Sequence, residues 1–264
     1  MSSRLAELLE IMARLRAPGG CPWDRDQTFT SIAPFTIEEA YEVADAIDRA
    51  DMAGLKDELG DLLFQVVFHS QIASEARQFD FEAVAGAICD KLRRRHPHVF
   101  GERVHLSSAE QSRAWEEIKA QERAAPGASA LHGVPNALPA LLRADKLSKR
   151  AARVGFDFEQ SGQCADKVAE ELAEVRFAAA EAENGAAGAS SAEIFEEIGD
   201  LLFAAANLAR KLDVDPEAAL RAANVKFERR FRAMESLALT RGEVFATLSL
   251  AEQEDLWQAI KREE

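Results

Sequence analysis

Residues 58–64 read ELGDLLF, and residues 197–203 read EIGDLLF. Each stretch places a glutamate and an aspartate three residues apart inside a run of leucine and phenylalanine. Because residues three apart on an α-helix project from the same side, each stretch predicts a helix that carries a pair of carboxylates. The repetition of the pattern predicts that the chain contains two copies of one helical unit.

A second acidic motif precedes each of these stretches. IEEAYEVADAI at 37–47 resembles AEELAEVRFAA at 169–179, and both carry two glutamates three residues apart. The second copy is longer between its two motifs, and the glycine-rich NGAAGASS at 184–191 predicts a loop that takes up the difference. Each copy therefore predicts two helices joined as an antiparallel hairpin. The acidic residues are Glu39, Glu42, Glu58 and Asp61 in the first copy and Glu171, Glu174, Glu197 and Asp200 in the second.

The composition favours an all-helical protein, and the length allows one large domain or two modest ones. The chain has 264 residues, of which 47% are hydrophobic, and no segment shows the alternation of a strand. We predict a first helical domain over 1–120, a linker over 121–138 and a second helical domain over 139–264. Within the first domain we expect a loop over 94–111 and a helix over about 108–123.

The net charge of −14 argues against a nucleic-acid polymer as partner, since such binding needs a broad basic surface. The three cysteines show no metal-binding spacing and do not suggest a disulfide framework, which fits a reducing cytoplasm. No apolar run approaches the roughly 18 residues of a membrane span. We therefore expect a cytoplasmic protein without a membrane partner.

Asp61 and Asp200 stand among apolar residues, which predicts that their charges are buried at a cost in free energy. Leu59, Leu62, Leu63, Val66 and Val67 predict the core stripe of the first ELGDLLF helix, while Phe64 and Phe68 follow Asp61 on the other side. The second copy repeats this arrangement with Ile198, Leu201, Leu202 and Ala205 as the predicted stripe. We expect both helices to be buried on two sides, where a carboxylate must be paired or bind a metal. An ion pair with an arginine is the structural alternative.

If a metal binds, the donor set favours a hard divalent cation. Four carboxylates without sulfur or imidazole favour Mg²⁺, or Mn²⁺ as a substitute, over zinc or copper. Mg²⁺ is commonly shared between carboxylates and substrate phosphates. The acidic motifs therefore point to a phosphate-bearing substrate.

Several motifs together resemble the MazG nucleoside triphosphate pyrophosphohydrolases. The resemblance is carried by CPWDRDQT, EEAYEVADAI, ELGDLLFQVVFH, RRHPHVFG and GVPNALPALLRADKLSKRAARVGFDF, and it extends from Cys21 to Trp257. Phe29 stands where the family has histidine, and Phe35 where tyrosine is common. The resemblance implies an all-α fold of two tandem MazG-like helical bundles in an intertwined homodimer.

The resemblance also implies an activity and a set of site residues. The activity is Mg²⁺-dependent hydrolysis of ribo- and deoxyribonucleoside triphosphates to a monophosphate and pyrophosphate, in a house-cleaning role, carried mainly by the second copy. The implied metal ligands are Glu171, Glu174, Glu197 and Asp200. One of these four acids, or a neighbour such as Glu170, would orient or deprotonate the attacking water. Glu39, Glu42, Glu58 and Asp61 form a second set, which we expect to bind metal weakly. The implied substrate-binding residues are Lys167, Asn224, Lys226, Arg229, Arg230, Trp257 and Lys261, of which Trp257 and Lys261 would approach the base and the phosphates.

Two other functions fit the same acidic residues. A non-catalytic module that senses a nucleotide or alarmone would also bind metal and phosphate, but it would release no pyrophosphate. A purely structural helical dimer would use the acids in salt bridges, and Mg²⁺ with nucleotide would then leave its melting temperature unchanged.

Overall fold

The computed structural model describes residues 3–101, 129–183 and 191–264, together with 107, 110, 111, 114, 115 and 118. It confirms the predicted all-α class, since the described residues contain helices and no strand. No helix among them is both long and apolar enough to span a bilayer. The helices are α1 (Ser3–Arg16), α2 (Pro22–Asp26), α3 (Phe29–Asp48), α4 (Met52–Glu75), α5 (Phe81–Arg95), α6 (Pro97–Phe100), α7 (Ala140–Arg153), α8 (Ser161–Glu183), α9 (Ser191–Lys211), α10 (Pro216–Thr240) and α11 (Leu250–Glu263), with a 3₁₀ turn at Phe245–Thr247.

The chain divides into two compact units, residues 1–122 and 123–264. The predicted linker over 121–138 stays a prediction, because residues 119–128 lie outside the described part of the chain. The predicted loop over 184–191 lies outside it as well, except for Ser191. Most of the helix expected over 108–123 is also outside the described residues.

Several helices begin with a capping residue. Its side-chain oxygen accepts a hydrogen bond from a backbone N–H that has no partner within the helix. The Asp51 carboxylate accepts a hydrogen bond from the backbone N–H of Gly54 at 2.9 Å, and α4 therefore begins with only three residues between it and the end of α3. Asp215 caps α10 in the same way. Ser249 and Glu252 form a reciprocal capping box at the start of α11.

The first unit is built on the α3–α4 hairpin, with α1 packed against α4. Met12, Ile32 and Phe68 are almost fully buried between these three helices. The Arg16 side chain is only 7% exposed, and its Nη2 donates to Glu75 at 2.8 Å. The Arg16 guanidinium also donates to the backbone carbonyls of Asp24 and Gln27 and lies over the Phe68 ring. It therefore joins the end of α1 to α2 and to the end of α4.

The second unit contains the matching α8–α9 hairpin, with α7 packed against α9. Its remaining two long helices, α10 and α11, pair with each other around Met234, Ala238 and Leu256. α10 also contacts α7 and α9. The side chains predicted for the site of this unit therefore lie on two helix pairs, α8–α9 and α10–α11.

The prediction that the E-x-x-D helices are buried on two sides is wrong for the single chain. Leu59 and Leu63, placed in the predicted core stripe, are 49% and 41% exposed, whereas the buried core side chains of α4 begin at Gln65. In α9, Ile198 and Leu202 are likewise exposed. The physical reason is that α1 covers only the C-terminal half of α4, through Met12 and Arg16. The half that carries the acids keeps an uncovered apolar side.

Arg16→Ala should destabilise the first unit by roughly 1–3 kcal/mol, because it removes the hydrogen bonds to the carbonyls of Asp24 and Gln27, the contact with the Phe68 ring and the ion pair with the partly exposed Glu75. The hydrogen bonds from Arg16 lower the pKa of Glu75 against the opposing effect of burial, so the part due to the ion pair is present above the usual glutamate pKa of about 4.3 and is lost as the pH falls. Urea titration followed by circular dichroism, with hydrogen exchange of the α4 amides, measures the effect. Arg4→Ala, which removes an exposed pair with Glu7, is the matched control and should change stability by less than about 1 kcal/mol. Equal midpoints for the two variants would contradict the assigned role of Arg16.

Candidate metal centre

Three carboxylates meet between α3 and α4 in the first unit. Glu39 and Glu42 project from α3, and Glu58 projects from the facing side of α4. One ligand oxygen from each lies within 4.8 Å of the others. The E-x-x-E spacing supplies two acids from one helix turn, and the hairpin brings the third against them.

The second unit repeats this arrangement between α8 and α9. Glu171, Glu174 and Glu197 have ligand oxygens within 4.8 Å of one another. Glu171 is only 6% exposed, whereas Glu174 is exposed and Glu197 is half-buried. An open groove of about 580 Å³ lies beside the cluster, and its wall includes Glu170, Glu174 and Glu197. The cluster thus has a buried base and an open side that a ligand can reach.

The two predicted aspartates lie outside these three-carboxylate clusters. Asp61 and Asp200 are one helix turn beyond Glu58 and Glu197, and both are exposed. Asp61 is nevertheless close enough for its charge to raise the pKa of Glu39. A residue three positions along a helix is rotated by about 60° around the axis, which places each aspartate at the edge of its cluster.

The crowding of negative charge shifts the protonation of the clusters. In the second unit, a hydrogen bond between the carboxyl groups of Glu174 and Glu171 raises the pKa of Glu174. Desolvation and the charges of Glu171 and Glu197 raise it further. In the first unit, desolvation is the largest cause that raises the pKa of Glu39 and of Glu58, followed by the charges of neighbouring acids. Both clusters therefore favour the arrival of a positive charge.

In the second unit, a lysine already supplies such a charge. The Nζ atom of Lys167 lies 2.7 Å from Glu171 and 2.8 Å from Glu170. Hydrogen bonds to these two carboxylates raise the pKa of Lys167. At the matching offset the first unit has Phe35, so the two clusters differ in their built-in counter-charge. Sequence reasoning placed Lys167 among the substrate contacts and overlooked this pairing, although Lys167 stands three and four residues before Glu170 and Glu171, the spacing of ion pairs on one helix.

The residues present fit a hard divalent cation. All the clustered donors are carboxylate oxygens, the donor type that Mg²⁺ and Mn²⁺ prefer. No arginine pairs with the acids of either cluster among the ion pairs of the described residues, so the structural alternative of an arginine pair finds no support there.

The predicted phosphate-binding residues lie on the α10–α11 pair. Arg229 and Arg230 both pair with the carboxylate of Glu264, and the Arg230 guanidinium lies 5.4 Å from the centre of the Trp257 ring. Trp257 also packs against Phe227, with their ring centres 5.7 Å apart. Asn224, Lys226 and Lys261 are exposed on the same two helices. The structure therefore brings Arg229, Arg230 and Trp257 together, on a different helix pair from the acids.

Sequence reasoning missed a pocket of about 440 Å³ in the second unit, between α7, α9 and residues 155–158. Its wall includes Ser148, Phe156 and Asn207. A signal was present in the sequence, since Asn207 follows Asp200 by seven residues and interrupts the apolar character of that side of α9.

Comparison with known proteins supplies an independent view of both units. Residues 27–100 match the MazG nucleotide pyrophosphohydrolase domain, and residues 144–226 match the phosphoribosyl-ATP pyrophosphohydrolase family. The chain is 50% identical over 264 residues to a nucleoside triphosphate pyrophosphohydrolase of Escherichia coli, covering 99% of this chain and 98% of the relative. It is 43% identical over 255 residues to a nucleoside triphosphate pyrophosphohydrolase/pyrophosphatase MazG of Thermotoga maritima, covering 97% and 94%. The crystal structure of a mazG-related protein from Thermotoga maritima matches with a TM-score of 0.38 and 28% identity, over 43% of this chain and 97% of that one.

Mg²⁺ should raise the melting temperature at neutral pH and lose this effect as the pH falls toward about 4. Because the pKa of Glu174 is raised in the folded state, the metal-free protein loses stability as the pH rises through that pKa, and a bound cation removes the penalty. Thermal unfolding with and without Mg²⁺ across this pH range measures the effect.

The double variant E171Q/E174Q should abolish the part of the Mg²⁺ effect that belongs to the second unit. Glu228→Gln, which neutralises an exposed acid paired with Arg232 on α10, is the control and should leave the effect intact. A Mg²⁺ effect that is the same at pH 4 and pH 8 would contradict a carboxylate site.

Proposed function

The chain belongs to the MazG family and is a nucleoside triphosphate pyrophosphohydrolase, and we propose that it acts on ribo- and deoxyribonucleoside triphosphates with Mg²⁺ at the acidic cluster of its second unit. The products are a nucleoside monophosphate and pyrophosphate. The observation that carries the proposal is the meeting of Glu171, Glu174 and Glu197 beside an open groove. Clearing unwanted triphosphates from the cytoplasmic nucleotide pool is the role that fits this activity.

Glu171, Glu174 and Glu197 would hold the metal, with Asp200 completing the set from the next turn of α9. Bound Mg²⁺ supplies charge neutralisation at the phosphates and lowers the pKa of a coordinated water. Mn²⁺ fits the same oxygen donors. The buried position of Glu171 anchors the set, and the exposed position of Glu174 leaves room for substrate oxygens.

Glu170 and Lys167 would position the attacking water and the substrate. A water oxygen attacks the α-phosphorus, and the bond to the bridging oxygen of the pyrophosphate breaks. Glu170 is exposed at the rim of the groove and can accept the proton of that water once Lys167 turns from it to a phosphate oxygen. Lys167 thus serves as the counter-charge of the acids before substrate binds and as a phosphate contact afterwards.

The basic residues of α10 and α11 would neutralise the departing pyrophosphate. Arg229 and Arg230 already pair with one carboxylate, that of Glu264, which a phosphate bound by these arginines would displace. Two planar guanidinium groups that donate hydrogen bonds to one carboxylate can also donate to the oxygens of a phosphate. Trp257 lies under Arg230 and fixes its direction. Asn224, Lys226 and Lys261 add polar contacts along the same face.

We assign the first unit a weaker metal site and a part in dimerisation or regulation. Its acids Glu39, Glu42 and Glu58 are arranged like those of the second unit, with Asp61 nearby, but Phe35 replaces the lysine. The uncovered apolar sides of α4 and α9, which include Leu59, Leu63 and Leu202, are suited to burial against a second copy of the chain. An intertwined homodimer would cover them.

The double variant E197A/D200A should lower turnover of a nucleoside triphosphate by roughly a hundredfold or more, because it removes metal ligands that act on the reacting phosphate. E58A/D61A, the matched change in the first unit, should lower turnover by less than about tenfold. The assay resolves pyrophosphate from orthophosphate with dCTP, dGTP and ATP at several Mg²⁺ concentrations. An equal loss in both variants would contradict the assignment of activity to the second unit, and release of orthophosphate alone would contradict the reaction.

A further inference from the structure

The two arginines proposed to bind phosphate already share one carboxylate within the protein. Arg230 donates hydrogen bonds from Nε, at 3.0 Å, and from Nη2 to one side-chain oxygen of Glu264, and Arg229 donates to the other oxygen. Hydrogen bonds from Arg230, with the charges of both arginines, lower the pKa of Glu264 against the opposing effect of desolvation. Glu264 is therefore ionised at neutral pH, and each of its oxygens is bound by a different guanidinium group.

Glu264 reaches the arginines because of its place relative to α11. It directly follows this helix, and Trp257, Lys261 and Glu264 are spaced i, i+4 and i+7, which places them on one side. Trp257 lies against Arg230 on that side. The side chain of Arg230 is only 17% exposed, so its pair with Glu264 is partly shielded from solvent and is stronger than the usual surface ion pair.

The same acid recurs in the first copy of the sequence repeat. WEEIKAQE at 115–122 and WQAIKREE at 257–264 share tryptophan, isoleucine, lysine and glutamate at identical spacing. Each follows a K-x-x-R-R motif, at 91–95 and at 226–230. Glu122 thus holds the position of Glu264 in the sequence, although it lies outside the described residues. The presence of the acid beside the basic residues in both copies favours a role for it in the phosphate-binding arrangement.

A carboxylate and a phosphate compete for the same guanidinium donors, because both offer anionic oxygens to charge-assisted hydrogen bonds. A ligand that needs Arg229 and Arg230 binds only those molecules in which Glu264 has left them, so its apparent affinity is lowered by that fraction. Glu264 is able to leave, because its side chain is 30% exposed and water can replace the arginines. The pairing therefore weakens the binding of pyrophosphate without blocking it.

From these observations we propose that Glu264 is a built-in competitor for Arg229 and Arg230, which lowers the affinity of the second unit for pyrophosphate and promotes the release of this product. The inference rests on the proposed function and adds a residue that regulates the same site. Glu264 acts through the two arginines and is a positioning residue. It holds their guanidinium groups in place before the substrate binds, and it pairs with them again when pyrophosphate leaves.

Neutralising the competing carboxylate tests the proposal. Glu264→Gln keeps the size of the side chain and leaves the buried α10–α11 core untouched. Glu228→Gln is the matched control, since Glu228 also pairs with an arginine on α10, Arg232. Each variant is titrated calorimetrically with pyrophosphate in the presence of Mg²⁺, and inhibition of triphosphate turnover by pyrophosphate is measured alongside. The same titration of E264Q in an R229Q/R230Q background shows whether the effect passes through the arginines.

E264Q should bind pyrophosphate roughly tenfold more tightly than the wild type, as expected if the pair is formed in about nine molecules in ten, and inhibition by pyrophosphate should strengthen by about the same factor. E228Q should match the wild type, and without the two arginines E264Q should change the affinity by less than about twofold. Unchanged or weaker pyrophosphate binding in E264Q would overturn the inference, as would an equal gain in E228Q or a full gain in the R229Q/R230Q background. Absence of pyrophosphate release from a triphosphate by the wild type would instead overturn the proposed function, and the pyrophosphate titration would still decide the competition.

Discussion

In each unit, two packed helices hold three carboxylates close together. The electrostatic repulsion between these carboxylates is the constraint on which the site depends. Helix geometry places two acids on one turn, and the hairpin brings a third within 4.8 Å. Such a set is stable only with positive charge or protons nearby. The second unit supplies both, through Lys167 and through the hydrogen bond between Glu171 and Glu174. A site that already needs positive charge is well suited to a divalent cation and, through it, to a polyphosphate.

The two units share the same helical hairpin and differ at a few side chains. Their hairpins and clustered acids are alike, yet the first unit has Phe35 where the second has Lys167, and Phe68 where the second has Asn207. The first change removes a counter-charge, and the second fills a hollow with a buried ring. The first unit therefore has a ring buried in its core at this position and lacks the lysine that neutralises the acids of the second unit. This supports a structural or regulatory part for it, even though its acids are retained.

Much of the fold followed from the sequence because it depends on local signals. Helical periodicity and the repeated acidic motifs gave the all-α class, the hairpins and most of each acid cluster. The burial of α4 and α9 was not predicted correctly, because a hydrophobic stripe does not say whether its cover comes from the same chain; Leu59 and Leu202 are exposed here. The pairing of Arg229 and Arg230 with Glu264 depends on contacts between helices distant in sequence, which no local pattern encodes. Asn207 marks a break in the apolar side of α9, but the other residues that line the pocket come from α7 and residues 155–158.

The central claim is that the carboxylate cluster of the second unit binds a divalent cation. Crystals grown with Mn²⁺ and a non-hydrolysable triphosphate analogue, and measured for the anomalous scattering of manganese, test it most directly. We expect an anomalous peak bounded by Glu171, Glu174 and Glu197, in contact with phosphate oxygens of the analogue. A bound analogue whose manganese lies away from these three residues, or a cluster without any peak, would contradict it.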